Sequence, residues 1–330
     1  MQAGITRRSF GLAAGATLSL PASSKRVAAA AAMSRIDAHV HVWAPADQQG
    51  RFPYAGALLG AKSAGPEPPL PGDAELLLGE LDAAGVGGAL IVQPGNHLYD
   101  HSYVISVLEA HPQRFAGCLL ADPRPGGGGA AEIERLHRAH GFRAVRFNPY
   151  LWPEGEGMAN EVGRAMYQKA GELGMPVAHM PFKGLLGHVD EIEELAASYP
   201  RTPVVIDHFG FCGAGDTASE EWRRLLALAR HPQVHVKSSA FFRVSKEPYP
   251  YRDAVTALRL LVDSFGARRV MWGTDWPWVQ EHGGYSKAWG LLDAADPSAL
   301  TEEERRWVMG GTARALFPGA WGGGGGAASA

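Results

Sequence analysis

Cysteine is scarce: the 330 residues hold two, Cys118 and Cys212. Two thiols without CxxC spacing build neither a disulfide framework nor a thiolate metal site. Basic excess is missing as well, because 31 Lys+Arg stand against 34 Asp+Glu for a formal charge of -3. A chain of that balance is not built to grip a phosphate backbone, which argues against nucleic acid as a partner. No apolar run approaches the ~20 residues needed to span a bilayer, so the mature chain is expected to have no membrane partner. No glycine-rich phosphate loop follows the first strand candidate, which removes the signature of an open dinucleotide-binding sheet.

The composition that remains, 46% hydrophobic and 20% charged, is that of an ordinary globular protein. Its two ends stand apart. Residues 1–34 carry Arg7, Arg8, Lys25 and Arg26 but no acid, with a modestly apolar run from Phe10 to Leu20, and read as a targeting segment. The order Thr6-Arg7-Arg8-Ser9-Phe10-Gly11-Leu12 resembles a twin-arginine export signal, while the Arg, Ser and Ala enrichment also suits an organelle transit peptide. Residues 319–330, dominated by Gly322 to Gly326 and small residues, are expected to be a disordered tail.

Between 35 and 318 short apolar, β-branched runs alternate with helical patterns, the arrangement of βα units on a parallel sheet. The strand candidates are Arg35–Val42, Ala89–Gln93, Phe115–Ala121, Ala144–Asn148, Pro176–Met180, Pro203–His208, Val234–Ser239 and Arg269–Thr274. Helical spacing marks Asp73–Ala84, Tyr103–Ala110, Ala130–His140, Glu161–Leu173, Val189–Ser198, Ser219–Ala229, Arg252–Phe265 and Glu302–Leu316. Eight units recurring at about 30 residues each predict a single-domain (β/α)8 TIM barrel. The one long interval, after the first strand, is crowded with Pro45, Pro53, Pro66, Pro68, Pro69 and Pro71; it cannot run as a helix and is a candidate lid.

In such a barrel chemistry sits at the C-terminal ends of strands. The first strand carries His39 and His41 two residues apart, on one face of an extended chain. The fifth ends at His179, the sixth at Asp207-His208, the eighth at Asp275. Any one of these histidines alone is more ordinarily a satisfied core or loop residue, but their joint convergence on one mouth is costly without a cation, a substrate or mutual hydrogen bonds. His39, His41, His179 and Asp275 form an N,N,N,O set that suits one divalent ion, Zn²⁺ by ligand type. His208 remains free as acid or base. Arg146 at the end of the fourth strand is shaped to hold a carboxylate, with an ion pair to a neighbouring strand's acid as the competing role. Lys237, Ser239 and Arg243 could complete an anion-binding wall, and Tyr150, Trp152, Trp276 and Trp278 could enclose a small cyclic substrate or simply pack beneath loops. His97, His101 and Asp122, after the second and third strands, read first as loop hydrogen-bonding residues.

This constellation, with Phe142-Arg143-Ala144-Val145-Arg146-Phe147-Asn148-Pro149, Ile206-Asp207-His208-Phe209-Gly210 and Met271-Trp272-Gly273-Thr274-Asp275-Trp276-Pro277, resembles the amidohydrolase superfamily across residues 35–318. Within it the chain is similar to the group of 2-pyrone-4,6-dicarboxylate and sugar-lactone hydrolases and to plant and algal members. The resemblance implies a hydrolase opening a lactone or similar cyclic ester of a small carboxylated or hydroxylated substrate. It assigns Asp275 as acceptor of the water proton and His208 as its strand-6 companion. It also implies an alternative, a metal-dependent non-oxidative decarboxylase; a different class altogether is a non-catalytic small-molecule binder on a decayed barrel. No strand-4 lysine is present to bridge two ions, since Arg146 occupies that region, so a binuclear centre is not expected. Lactonases of this group can work without metal, and whether His179 faces the mouth is expected to decide between one ion and none. Similarity to plant and algal members points the targeting segment toward a plastid, with twin-arginine export as the alternative.

Overall fold

A computed structural model describes residues 35–54, 68–182 and 184–321. Eight parallel strands follow one another in chain order around one sheet: β1 (Ile36–Val40), β2 (Gly88–Val92), β3 (Phe115–Leu119), β4 (Ala144–Phe147), β5 (Val177–His179), β6 (Val204–Ile206), β7 (Val234–Ser239) and β8 (Val270–Gly273). The sheet is joined at its ends just beyond β8. There the Asp275 amide donates to the His39 carbonyl at 2.9 Å and the His41 amide to the Trp276 carbonyl at 2.7 Å. The result is a single-domain (β/α)8 barrel.

Helices at Ala74–Ala84, Ser102–Ala110, Gly129–His140, Glu161–Glu172, Val189–Ser198, Glu220–Ala227 and Arg252–Phe265 link successive strands. Their starts are chemically marked. Asp73 accepts from the Leu76 amide, Asn160 from Gly163 and Ser219 from Trp222, which satisfies first-turn N–H groups that have no helical partner. The final helical stretch, 302–316, opens on a capping box of Thr301 and Glu304 and widens to a π-turn at Trp307–Gly311.

Alternation along each strand divides the core in two. Leu90, Val92, Ala116, Cys118, Ala144, Ala178, Val205 and Met271 fill the barrel interior, while Val145, Phe147, Val177, Val204, Ile206, Val236 and Trp272 pack outward among the helices. Beneath the barrel the expected tail boundary needs correction. Ala320 and Trp321 are buried with the interior cluster, and Trp321 Nε1 lies 3.3 Å from the Ala89 carbonyl. A Cβ on Gly88 would meet Trp321 Cδ1 at 2.6 Å, so the missing side chain there is what admits the indole. The barrel domain therefore extends through Trp321. The rest of the expected tail, the 1–34 segment and 55–67 of the candidate lid lie outside the described residues.

The described arms of that loop are tied to the barrel. His97 Nδ1 donates to the Pro53 carbonyl at 2.9 Å, and its Nε2 accepts from the Ala44 amide at 3.1 Å. Trp43 Nε1 donates to Leu70 O at 3.0 Å. His101 Nε2 accepts from the Leu120 amide at 3.2 Å. Both histidines, like Asp122 with Arg124, thus serve loop hydrogen bonding.

Candidate active site at the barrel mouth

The inward top positions of the strands are polar. Arg146 on β4, Asp207 after β6, and Lys237 and Ser239 on β7 replace the apolar residues that fill the layer below. On β1 the inward face changes phase. Ile36 and Ala38 belong to the interior cluster, and a register irregularity between Asp37 and Val40 lets His39 and His41 also turn inward, as a bulge does when it inserts one residue. Asp37 faces the other way and pins β1 to β8, accepting from the Thr274 hydroxyl at 2.7 Å and the Thr274 amide at 3.0 Å; burial raises its pKa to about 6. Gly273 supplies the space between strands. A Cβ there would meet the His39 and Ser239 Cβ atoms at 3.0 Å each.

Asp275 is the meeting point. Its Oδ1 lies 3.4 Å from His41 Nε2, 3.8 Å from His39 Nε2 and 3.9 Å from His208 Nε2, and its Oδ2 accepts from Arg243 Nε at 2.7 Å. Burial works against the Asp275 charge, but His208, His41, Arg243 and His39 together outweigh it and hold the carboxyl far below its usual range. Burial pushes His208 down to about 4 despite the Asp275 and Asp207 carboxylates. His208 and Asp275 have left-handed backbones, φ 51° and 63°. Left-handed non-glycine residues concentrated at a mouth are the kind of local strain that fixes side-chain direction.

A second ionic layer lies directly beneath. Asp207, fully buried, is 2.9 Å from Lys237 Nζ through Oδ1 and 3.1 Å from Arg146 Nε through Oδ2. Burial opposes the Asp207 charge, and Lys237, His39 and Arg146 overcome it, so its pKa lies well below the carboxylate range. Lys237 Nζ also stands 3.2 Å from His39 Nδ1. His208 Nδ1 is 2.8 Å from Ser239 Oγ.

Three sequence-based assignments change. His179 is not at the mouth: its neighbour Ala178 takes the inward position, so its own ring turns outward against Phe147 and Tyr167, with Nε2 3.5 Å from the Tyr167 hydroxyl. Burial there lowers it to about 3. Lys237 is 0% exposed and engaged by Asp207 and His39, out of a substrate's reach. Ser239 is equally buried and backs His208. Arg146, at 8% exposure, is the ion-pair partner of Asp207 through Nε. Arg243 joins the mouth through Asp275 and lies 5.9 Å from the Trp278 ring centroid. The Tyr150 hydroxyl donates to the Phe182 carbonyl at 3.4 Å. Asp207 was the residue sequence reasoning passed over. Its signal was its place two residues beyond inward-facing Val205, on the same face as the polar ring.

Ligand atoms of His39, His41 and Asp275 lie within 4.8 Å of one another, all three residues buried. With His179 turned away, the expected fourth ligand is missing, and the two imidazoles and one carboxylate that remain still fit a first-row divalent ion. His41 Nδ1 donates to the Val92 carbonyl at 2.8 Å, the outer contact that leaves Nε2 its lone pair.

Comparison with known proteins agrees with this architecture. The chain is 27% identical to 4-sulfomuconolactone hydrolase of Hydrogenophaga intermedia over 293 residues, 85% of this chain and 88% of that one. It is 29% identical to L-fucono-1,5-lactonase of Burkholderia ambifaria over 84% of this chain and 93% of the other. A crystal structure of a protein described as a putative 2-pyrone-4,6-dicarboxylic acid hydrolase from Pseudomonas putida superposes with a TM-score of 0.69 at 25% identity, covering 87% of this chain and 98% of that one. The amidohydrolase family profile runs through residues 36–319, the whole barrel that carries the His39, His41 and Asp275 mouth, and the chain belongs to the amidohydrolase family.

Proposed function

We infer that the protein is a hydrolase that opens a lactone of a small, acidic or hydroxylated molecule with water as nucleophile. The observation that carries this reading is one ionised carboxylate, Asp275, facing three imidazole nitrogens at the barrel mouth within 3.9 Å. Asp275 takes a proton from water as the water oxygen attacks the lactone carbonyl carbon. The ring C–O bond then breaks, and the proton returns from Asp275 to the leaving oxygen, giving a hydroxy acid. Imidazole N–H groups and Arg243 hold the developing oxyanion in a site largely screened from water. Arg243 also governs the base, because carrying its charge from Asp275 to a substrate anion would restore basicity to the carboxylate. A single divalent ion, zinc by donor chemistry, would be held by His39, His41 and Asp275 and supplies Lewis-acid polarisation of the carbonyl when bound.

A panel of sugar lactones and carboxylated cyclic esters, followed by pH-stat and mass spectrometry, tests the reading. Proton release with addition of one water to the product is the expected result. Release of CO₂ without hydration assigns decarboxylation instead, and ligand binding without any product assigns a binder.

Arg146 is proposed to grip a substrate carboxylate with the nitrogens that Asp207 leaves free. Arg146→Lys loses the bidentate fork and should raise KM roughly tenfold, the size of one charge-assisted hydrogen bond. An unchanged KM with a lowered Tm would confine Arg146 to its ion pair with Asp207.

Residues 1–34 are proposed to be a targeting segment, directed to a plastid. A chain beginning at Met33 should be as soluble and active as the full one, and a fluorescent fusion of 1–34 should enter plastids. Loss of folding in the shorter chain would make the segment structural, and export by a twin-arginine system would correct the destination.

A further inference from the structure

His39 has two candidate partners at Nδ1, and they demand opposite protonation. Asp207 Oδ1, at 3.5 Å, would take a proton from Nδ1 and so leave the Nε2 lone pair facing the mouth. Lys237 Nζ, at 3.2 Å, is an ammonium, which only donates, and needs the lone pair at Nδ1. The lysine is also the nearer group to the Asp207 oxygen, at 2.9 Å, so it stands between the carboxylate and the ring.

We propose that Lys237 is a positioning residue that fixes His39 as the Nε2–H tautomer and thereby makes the mouth a hydrogen-bond-donating site with suppressed affinity for metal. With that tautomer the donors run in one direction. Lys237 donates to His39 Nδ1, His39 Nε2–H faces His41 Nε2 at 3.3 Å, and His41 Nδ1–H donates to Val92 O at 2.8 Å. Each of these three donors meets an acceptor. The opposite tautomer aims the Nδ1 proton at an ammonium and sets two Nε2 lone pairs against each other, an arrangement that a cation between them relieves. Metal uptake therefore requires His39 to turn its proton toward Asp207 against the lysine.

For a carbonyl oxygen to be met by His39 Nε2–H, it must displace the contact of that N–H with His41 Nε2, taking the place that an ion on the same ligands would hold. That last consequence rests on the hydrolase reading; the tautomer and the metal affinity do not.

Two measurements test the assignment. Long-range ¹H–¹⁵N spectra of the wild-type protein, with the His39 signals identified by their loss in His39→Asn, should show a bare Nδ1 and a protonated Nε2. Zinc titrations of chelator-stripped protein should give at least tenfold tighter binding in Lys237→Met or Lys237→Gln than in wild type, the scale on which second-layer partners tune metal sites. That gain should vanish in Lys237→Met/Asp275→Asn, which places the ion at the mouth. A wild-type His39 protonated at Nδ1 overturns the proposal, and so do folded Lys237 variants that bind zinc no more tightly. Where neither variant folds, the wild-type spectrum decides by itself. A wild type with the expected tautomer that opens no lactone in the panel overturns the hydrolase reading and leaves the role of Lys237 standing.

Discussion

Asp275→Asn should lower kcat by ~10² or more with little change in KM. The substitution keeps the size of the side chain and can still accept from Arg243 through its amide oxygen. It then turns an NH₂ toward the three imidazole nitrogens that now face Oδ1 at 3.4 to 3.9 Å, and it cannot receive the water proton. Because the carboxyl is held ionised far below its usual range by His208, His41, Arg243 and His39 against its burial, kcat/KM of the wild type, which reports the free enzyme, should not fall through Asp275 on mild acidification. The nearby group that titrates is His208, at about 4. Its folded pKa lies below the ordinary value near 6.5, so from 6.5 down to about 4 the unfolded chain binds a proton that the folded chain refuses. Stability therefore falls through that window, at about 1.4 kcal/mol per pH unit for one such group. Rates across the window must accordingly be read beside a folding signal. Full turnover by a folded Asp275→Asn protein would remove Asp275 from the mechanism.

The barrel was legible because its signals repeat. Each β-branched run, each helical pattern and each interval of about 30 residues points to the same closed sheet, and agreement among many weak local choices is strong. The mouth was legible in residue type at the strand ends, and side-chain direction was not. His208 and Asp275 sit after their strands, where left-handed φ values of 51° and 63° direct the side chains and no sequence period applies. His179 was misread because type was weighed without phase: Val177 and His179 share the outward face of β5, paired with Val145 and Phe147 of β4, and Ala178 holds the inward place beside Arg146. Lys237 and Ser239 had the right phase but the wrong depth. The polar ring is two layers thick, and a strand sequence does not say which layer the substrate touches. The β1 irregularity carried no recognisable turn or glycine signal.

That depth makes Asp207 the position of largest expected effect on stability. Asp207→Asn leaves Lys237 Nζ and Arg146 Nε, now 2.9 Å and 3.1 Å from a carboxylate, facing a neutral amide. Lys237 and Asp207 are both 0% exposed, so water cannot restore the lost charge. Removing one partner of a buried ion pair costs about 3–5 kcal/mol, which for a domain of this size lowers Tm by roughly 10 °C. Lys237→Met combined with Asp207→Asn should recover part of that loss, because the pair then departs together and only Arg146, at 8% exposure, is left without its partner. The sum of the single effects should exceed the double by ~1 kcal/mol or more, as for residues that share one network. Thermal unfolding of the two single variants and the double closes the cycle. A strictly additive cycle would mean that Lys237 and Asp207 do not depend on each other, and the carboxylate would then be working chiefly through Arg146.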